Sequence, residues 1–334
     1  MSLKATVIID TYNYGRFIER SIESALNQDF PKERYEILVI DDESTDDTSE
    51  RIKKYGDKIR YIRQKNTGQA GVFNTGFANA NGEVICFLDA DDYWYPGKLK
   101  AVTAVFDKYP DVGLVQHPSD YVDENCSELG KEFSILPEFY DLQYFLNHKV
   151  LFNGTTNLSF RKAVIAKLMP EPLIMGNYAD TYLCWNILFH CRTCNINTAL
   201  AAHRIHGTNW YARVYSNDKM LEMYIKVMES VNASVKDTAR AHNVDFSSMP
   251  PSLFYQETEI LKNKIILSRK QWKLAEAVKA YAKLFGLSMS KYMLFKNLTL
   301  LLALLSPKLY LALFNAYSRS GFIPRLRERF LKHK

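Results

Sequence analysis

Asp89-Ala90-Asp91-Asp92 sets three carboxylates in one short stretch, directly after the apolar run Val84-Ile85-Cys86-Phe87-Leu88. Like charges that close repel one another, and partial burial raises the cost unless a cation joins them. A divalent cation such as Mg²⁺ or Mn²⁺ suits the donors: it takes oxygen ligands and fills its remaining positions with water and substrate phosphates. A solvated acidic turn is the plain alternative. The strand-like run before the acids, and a second pair, Asp41-Asp42, after another apolar run, favour the cation.

The elements that position these acids follow from hydrophobic periodicity. Ala5–Ile9, Glu36–Ile40, Ile59–Arg63 and Val84–Leu88 read as strands. Helices are predicted over Phe17–Gln28, from about Asp46 with Ser44 or Thr45 as cap, and over Gly68–Ala80. This alternation predicts an α/β fold, a mainly parallel sheet flanked by helices. Such sheets bind ligands beyond the carboxyl ends of their strands. Thr11-Tyr12, Asp41-Asp42 and Asp89–Asp92 all fall at such ends, so one crevice should gather them.

Further along, Lys98–Lys108 reads as a helix and Val112–Gln116, Thr156–Phe160 and Ala199–Ile205 as strands. Tyr121–Glu138 reads as a loop, Arg161–Leu168 as a short helix, and Ala179–His190 as a helix opening at Asp180. From about Tyr215 the chain is helical, with Leu253–Ser268 and Trp272–Phe285 as an antiparallel pair. The expected organisation is an α/β domain over residues 1–212, a helical extension over 213–289 and a basic amphipathic tail over 290–334.

Charge is unevenly placed in this chain of 334 residues. The last segment, 290–334, carries nine Lys/Arg against Glu328 alone, leaving 34 basic and 36 acidic groups elsewhere. The net +6 is a property of the tail, which argues against a nucleic-acid reading surface in the body. Leu298–Leu305 and Leu309–Phe314 are separated by Pro307-Lys308, so two short helices lying in a membrane interface suit the tail better than a span. A helical cap on the body is the other reading. The short stretch before β-like Ala5 is no signal peptide and five cysteines is an odd number, so a reducing, cytoplasmic location at the inner face of the membrane is expected. Cys191 and Cys194 form a CxxC without a second ligand pair, as buried thiols do.

Taken in order, Val7-Ile-Ile-Asp-Thr-Tyr-Asn13, Glu36-Ile-Leu-Val-Ile-Asp-Asp-Glu-Ser-Thr45, Asn66-Thr-Gly68, Gly82–Asp92 and Asp180 resemble family 2 glycosyltransferases of the GT-A fold, over roughly residues 3–210. The resemblance implies transfer of a sugar from a nucleotide diphosphate donor to a hydroxyl acceptor, with inversion and with Mn²⁺ or Mg²⁺. It implies nucleotide contacts at Thr11, Tyr12, Asp41, Asp89 and Asn74, and metal contacts at Asp91, Asp89 and His206. Asp180 would be the general base, and a helix-capping role at the same position can coexist with it. Trp94 and Trp210 are candidates to stack on a sugar. Trp185 reads as core, Asn153-Gly154-Thr155 as an acceptor-side loop or a plain turn, and His117 and His148 as surface or loop residues.

Three positions depart from the family pattern. Asp10 stands where Pro is usual, Ala179 replaces the first acid of a Glu-Asp pair, and Phe73 replaces an Arg, with Lys65 or Arg63 as substitutes near phosphate. These leave two other readings open, a nucleotidyltransferase making nucleotide sugars and a non-catalytic carbohydrate-binding homologue. The first usually carries a Gly-rich basic loop that Asp10–Gly15 does not supply. A dinucleotide-dependent dehydrogenase lacks its GxGxxG after the first strand.

Overall fold

The computed structural model describes residues 3–131, 137–209, 214, 217–246, 250–271, 273–287, 305–306, 308–309 and 312. Trp210 and nearly all of the 290–334 tail lie outside the described residues, and so do the expectations placed on them. The chain divides into two compact units, Met1–Ala212 with Glu229–Leu253, and Arg213–Met228 with Phe254–Lys334.

The first unit opens with β1 (Ala5–Thr11), α1 (Gly15–Leu26), β2 (Tyr35–Asp41), α2 (Thr48–Lys53), β3 (Arg60–Arg63), α3 (Gly68–Asn79) and β4 (Val84–Asp89). The central strands carry apolar residues on both faces along most of their length because helices cover both faces, and turn polar at their carboxyl ends. Ala5, Val7 and Ile9 share one core with Ile18, Ile22 and Ala25 of α1. On the opposite face Phe87 stacks on Phe73 of α3, ring centroids 3.9 Å apart. There α3 lies so close to β1 that a Cβ at Gly76 would come within 2.7 Å of Ile8.

The chain continues through β5 (Tyr93–Trp94), α4 (Lys98–Lys108), β6 (Val112–Gln116), β7 (Ser119–Val122), β8 (Glu128–Lys131), β9 (Phe139–Tyr140), α5 (Leu142–Asn147), β10 (Leu158–Arg161), α6 (Lys162–Ile165), α7 (Ala179–Ile187), β11 (Arg192–Asn195) and β12 (Ala201–Arg204). The main sheet has eight strands in the order β3-β2-β1-β4-β10-β6-β11-β9. β3, β2, β1 and β4 run parallel. β10 is antiparallel to both neighbours, β11 is parallel to β6, and β9 closes the edge antiparallel. Because β2 and β4 flank β1 on opposite sides, the strand order reverses at β1, where such sheets open a crevice. Register sets Thr11 opposite Asp41 and Asp10 opposite Asp89, lining four polar residues along that edge.

A second sheet, β5-β12-β7-β8, corrects the loop expected over Tyr121–Glu138. β7 and β8 pair antiparallel. The Asp123 carboxylate closes their turn by accepting the N–H groups of Asn125 and Ser127, each at 2.8 Å. Strands this short, carrying Asp120, Glu128 and Lys131, show no apolar alternation for a sequence to reveal. α2 also begins later than expected, after Asp47, so neither Ser44 nor Thr45 caps it. The Ser44 hydroxyl instead accepts the Asn13 N–H at 2.9 Å. Thr156 lies in a 3-10 turn, Thr155–Asn157, ahead of β10. Cys191 and Cys194 are free thiols.

Among the described residues α8 (Asp218–Ala241), α9 (Pro251–Lys270) and α10 (Leu274–Leu287) follow. Within the second unit Lys270 pairs with Asp218 and Lys283 with Glu257, each at 2.8 Å. The latter joins a late turn of α10 to an early turn of α9, as an antiparallel pair requires. Among the described residues no helix is long and apolar enough to cross a membrane.

One fully buried residue is a lysine packed on an aromatic ring. Lys98 of α4 is fully buried, donating to the Thr156 carbonyl at 2.9 Å with its ammonium 3.7 Å from the Trp94 ring centroid. Burial drives its pKa down to about 7. Between that value and the ordinary 10.5 the unfolded chain binds the extra proton, so this residue's contribution to stability rises with pH across that window and is lowest below it. Lys98→Met removes the dependence. We expect the variant to be about 2 kcal/mol more stable than the native chain in mildly acidic buffer, the lost hydrogen bond already subtracted, with the gap closing as pH rises. Urea melts at several pH values check this, and a variant less stable than native at acidic pH refutes it.

Candidate active site

At the end of β4 the backbone turns so that Asp89, Asp91 and Asp92 each bring an oxygen within 4.8 Å of the others. The three acids are not equivalent. Asp92 is fully buried and accepts from the Thr156 hydroxyl at 2.6 Å and the Arg204 N–H at 2.9 Å, with His203 Nδ1 at 3.0 Å. Burial pushes its pKa up, but His203, Thr156 and the Arg204 amide outweigh burial and hold it below the usual carboxylate range. Asp92 is therefore the ionised anchor that ties the acidic turn to β12. It was not among the residues expected to act, and the pairing with His203 has no signal in sequence spacing.

Asp91 faces His206, whose Nε2 lies 3.0 Å from its carboxylate, with Asn209 Nδ2 at 3.4 Å. The His206 ring packs against Phe17, centroids 4.6 Å apart, which fixes its plane. Asp89 ends the strand opposite Asp10. Burial first, then the charges of Asp10, Asp92 and Asp91, raise its pKa well above the usual range. Burial likewise lifts Asp10 to about 7. The Gln69 amide sits between them, 3.2 Å from Asp10 and 3.4 Å from Asp89, and its Nε2 also lies 3.2 Å from the Thr155 hydroxyl.

Whether these residues suit a divalent cation can be judged from the donors. Among the described residues no lysine or arginine side chain hydrogen-bonds to Asp10, Asp89, Asp91 or Asp92. A buried oxygen of Asp10 has no partner. Excess negative charge, hard oxygen donors and one imidazole nitrogen fit Mg²⁺ or Mn²⁺.

Asp180 comes to the same place from α7. The helix N-cap is Tyr178, so Asp180 lies inside the first turn and is not the cap. Its carboxylate accepts the Thr181 N–H at 2.6 Å and the Thr155 hydroxyl at 3.3 Å. Burial raises its pKa. Through Thr155 and Gln69 it is connected to Asp89, a link supplied by the 153–155 segment and α3 that no local motif encodes.

One strand away, Thr11 is buried with a hydroxyl that has no partner, and Tyr12 is 48% exposed beside it. Asp41 accepts from the Ser44 N–H at 2.8 Å, the Ser49 hydroxyl at 2.9 Å and the Tyr61 hydroxyl at 2.7 Å. Arg63 lies 3.6 Å from it. Asp42 turns away and accepts from the Thr67 and Gly68 N–H groups at 3.0 and 2.8 Å, fixing the start of α3.

Several expected contacts are placed elsewhere. The Asn74 amide is engaged with the backbone of Glu171, accepting its N–H at 2.6 Å and donating to its carbonyl at 2.9 Å, so its first role in this fold is to hold that segment. Trp94 is 2% exposed, donates its indole N–H to the Thr156 carbonyl at 3.0 Å and is covered by Lys98, leaving no face for a sugar. Phe73 is a core residue. His117 is buried, not at the surface, with Nδ1 2.9 Å from the Pro118 carbonyl. His148 is exposed and stacks on Tyr144, while Trp185 is half-buried against Phe145. Of Asn153-Gly154-Thr155, only Thr155 reaches the acids.

Comparison with known proteins agrees with this geometry. The profile of glycosyl transferase family 2 matches residues 6–169. An uncharacterized glycosyltransferase of Nostoc sp. is 33% identical over 288 residues, 82% of this chain and 86% of its own. The poly(ribitol-phosphate) beta-N-acetylglucosaminyltransferase TarS of Staphylococcus aureus is 36% identical over 168 residues, which is 49% of this chain and 28% of TarS. Among solved structures, TarS 1–349 with UDP-GlcNAc aligns over 84% of this chain and 89% of that one, with a TM-score of 0.56 and 18% identity. The mannosyltransferase PcManGT of Pyrobaculum calidifontis with GDP-Man and Mn²⁺ aligns over 98% and 88%, with a TM-score of 0.52 and 18% identity. Likeness at that identity establishes the fold. Sheet, acidic turn and relatives together define an enzyme that transfers a sugar from a nucleotide sugar. The chain belongs to glycosyl transferase family 2 and has the GT-A fold.

Proposed function

We propose that this glycosyltransferase works with inversion at the anomeric carbon, with a divalent cation held by Asp91, Asp89 and His206, and with Asp180 as the base that deprotonates a hydroxyl acceptor. The observation that carries the reading is the convergence of Asp89, Asp91 and Asp92 within 4.8 Å on the edge that Thr155 links to Asp180. Bound there, Mn²⁺ or Mg²⁺ would offset charge building on the leaving diphosphate. Thr11 and Tyr12 line the nucleobase, Asp41 accepts from it, and Asp180 takes the acceptor proton as the hydroxyl attacks opposite the diphosphate. Burial without a neighbouring cation leaves Asp180 a stronger base than a solvated aspartate.

UDP-GlcNAc and GDP-Man in the structural relatives support the donor class. The test is a thermal-shift screen of nucleotide sugars with and without Mn²⁺. We expect one donor to raise the melting temperature only when the metal is present. A shift equal in the presence of chelator overturns the metal assignment, and silence across donors overturns the donor-site reading.

The acceptor in this reading is lipid-linked, in synthesis of a surface polysaccharide or glycolipid, with the protein held peripherally at the inner face of the membrane. Its support is the charge and apolar pattern of residues 290–334. Deleting the chain after Ser290 should move the protein out of the membrane fraction; continued sedimentation with membranes refutes the attachment.

A further inference from the structure

Gln69 is the second residue of α3, and its amide nitrogen lies 3.2 Å from Asp10 Oδ2, 3.4 Å from Asp89 Oδ1 and 3.2 Å from the Thr155 hydroxyl. Thr155 is buried, and the same hydroxyl lies 3.3 Å from Asp180 Oδ2. We propose that Gln69 is a positioning residue for sugar transfer, setting Asp180 through Thr155 while its other N–H holds the Asp10–Asp89 pair. The inference rests on Asp180 being the base.

The direction of each hydrogen bond follows from the groups. An amide nitrogen only donates, and an ionised carboxylate only accepts. Turned over, the Gln69 carbonyl would face two carboxylate oxygens, so the amide is fixed nitrogen-first even though this leaves its carbonyl buried without a partner. The Thr155 oxygen accepts from Gln69, which leaves its single proton for Asp180. At Asp180 the two oxygens are held differently. Oδ1 takes the Thr181 N–H at 2.6 Å and the Thr181 hydroxyl at 3.2 Å, whereas Oδ2 is held by Thr155. The aim of Oδ2 therefore depends on Thr155, and through it on Gln69.

A local role does not account for this amide. Asp42 already fixes the start of α3 through the Thr67 and Gly68 N–H groups, so the helix does not need the Gln69 side chain. Neutrality suits the place. A lysine there would compete with a cation for the acids, and a glutamate would repel them. An amide donates to the acids and to Thr155 and adds no charge. One side chain thus joins β1, β4 and the turn before β10.

Hydrolysis of UDP-GlcNAc and GDP-Man by the full chain with Mn²⁺, read as released nucleoside diphosphate, tests this, because water then stands in for the acceptor before Asp180. Gln69→Met keeps the length of the side chain and removes its donor. We expect Gln69→Met and Thr155→Val each to lower kcat about 10-fold or more, with KM for the nucleotide sugar within about threefold of native. The double variant should lose no more than the worse single one, as residues acting in series do. Thr155→Ser should restore most of what Thr155→Val loses. A loss carried by KM alone, or losses that multiply, overturns the proposal. If one variant does not fold, the other decides by the same split. If neither nucleotide sugar is hydrolysed, crystal structures of the native chain and Gln69→Met decide: a Thr155 hydroxyl beside Asp180 in the native and turned away in the variant supports the proposal, and an unmoved hydroxyl overturns it. A slow Asp180→Asn with native-like Gln69→Met and Thr155→Val also overturns it and leaves the base standing. Asp180→Asn at the native rate removes the base assignment itself.

Discussion

Asp180→Asn should leave the donor bound and lower kcat by about 10²–10⁴-fold, the range typical of losing a positioned general base. The amide oxygen can still accept the Thr181 N–H that one carboxylate oxygen accepts at 2.6 Å, which keeps the first turn of α7; the Thr155 hydroxyl, 3.3 Å from the other oxygen, would instead meet the amide NH2 and accept from it. What the amide cannot do is take a proton. Donor affinity, read by Mn²⁺-dependent thermal shift, should stay within a few-fold of native, because Asp180 belongs to the acceptor side in this reading. A variant that turns over at a third of the native rate or better rules Asp180 out as base. One that loses donor binding as well would move Asp180 to the donor site.

The second large effect is expected at Asp91. Asp91→Ala removes the acid that His206 faces at 3.0 Å and leaves Asp89, whose proton affinity is already raised by burial and like charge. A cation site reduced to a reluctantly ionised carboxylate and an imidazole binds weakly. Transition-state charge stabilisation by a metal is worth several kcal/mol, so turnover should drop by roughly 10² or more. The Mn²⁺-dependent part of the donor thermal shift should vanish with it. Calorimetry on the native chain and the variant separates the possibilities: equal Mn²⁺ affinity in both overturns the assignment of Asp91 as a ligand.

The parts of this protein that could be read from the sequence are those built from long apolar runs. β1, β2 and β4 each bury both faces, so Val-Ile-Leu runs mark them, and the acids at their ends fall on one edge by register alone. Of the second sheet only β12 was legible, within the strand read over Ala199–Ile205; β5, β7 and β8 were not, because they are two to four residues long and polar in places. Partners distant in sequence were equally hidden. Asp92 finds His203 and Thr156, and Asn74 finds the Glu171 backbone, through folding and not through spacing. Trp94 misled for a related reason: a tryptophan beside an acidic turn suggests a sugar platform, yet its indole N–H is taken by a backbone carbonyl inside the core.

Thr156 has a consequence for how this enzyme can change. Its hydroxyl holds Asp92 and its carbonyl takes both Lys98 and the Trp94 indole. Catalytic turn and hydrophobic interior thus meet in a single residue. Libraries selected for heat tolerance should return substitutions around α4 that dull the enzyme, with Lys98→Met foremost: hardier protein, slower catalyst. Robustness and speed oppose each other at this residue, and an engineer who wants both will have to look away from that helix.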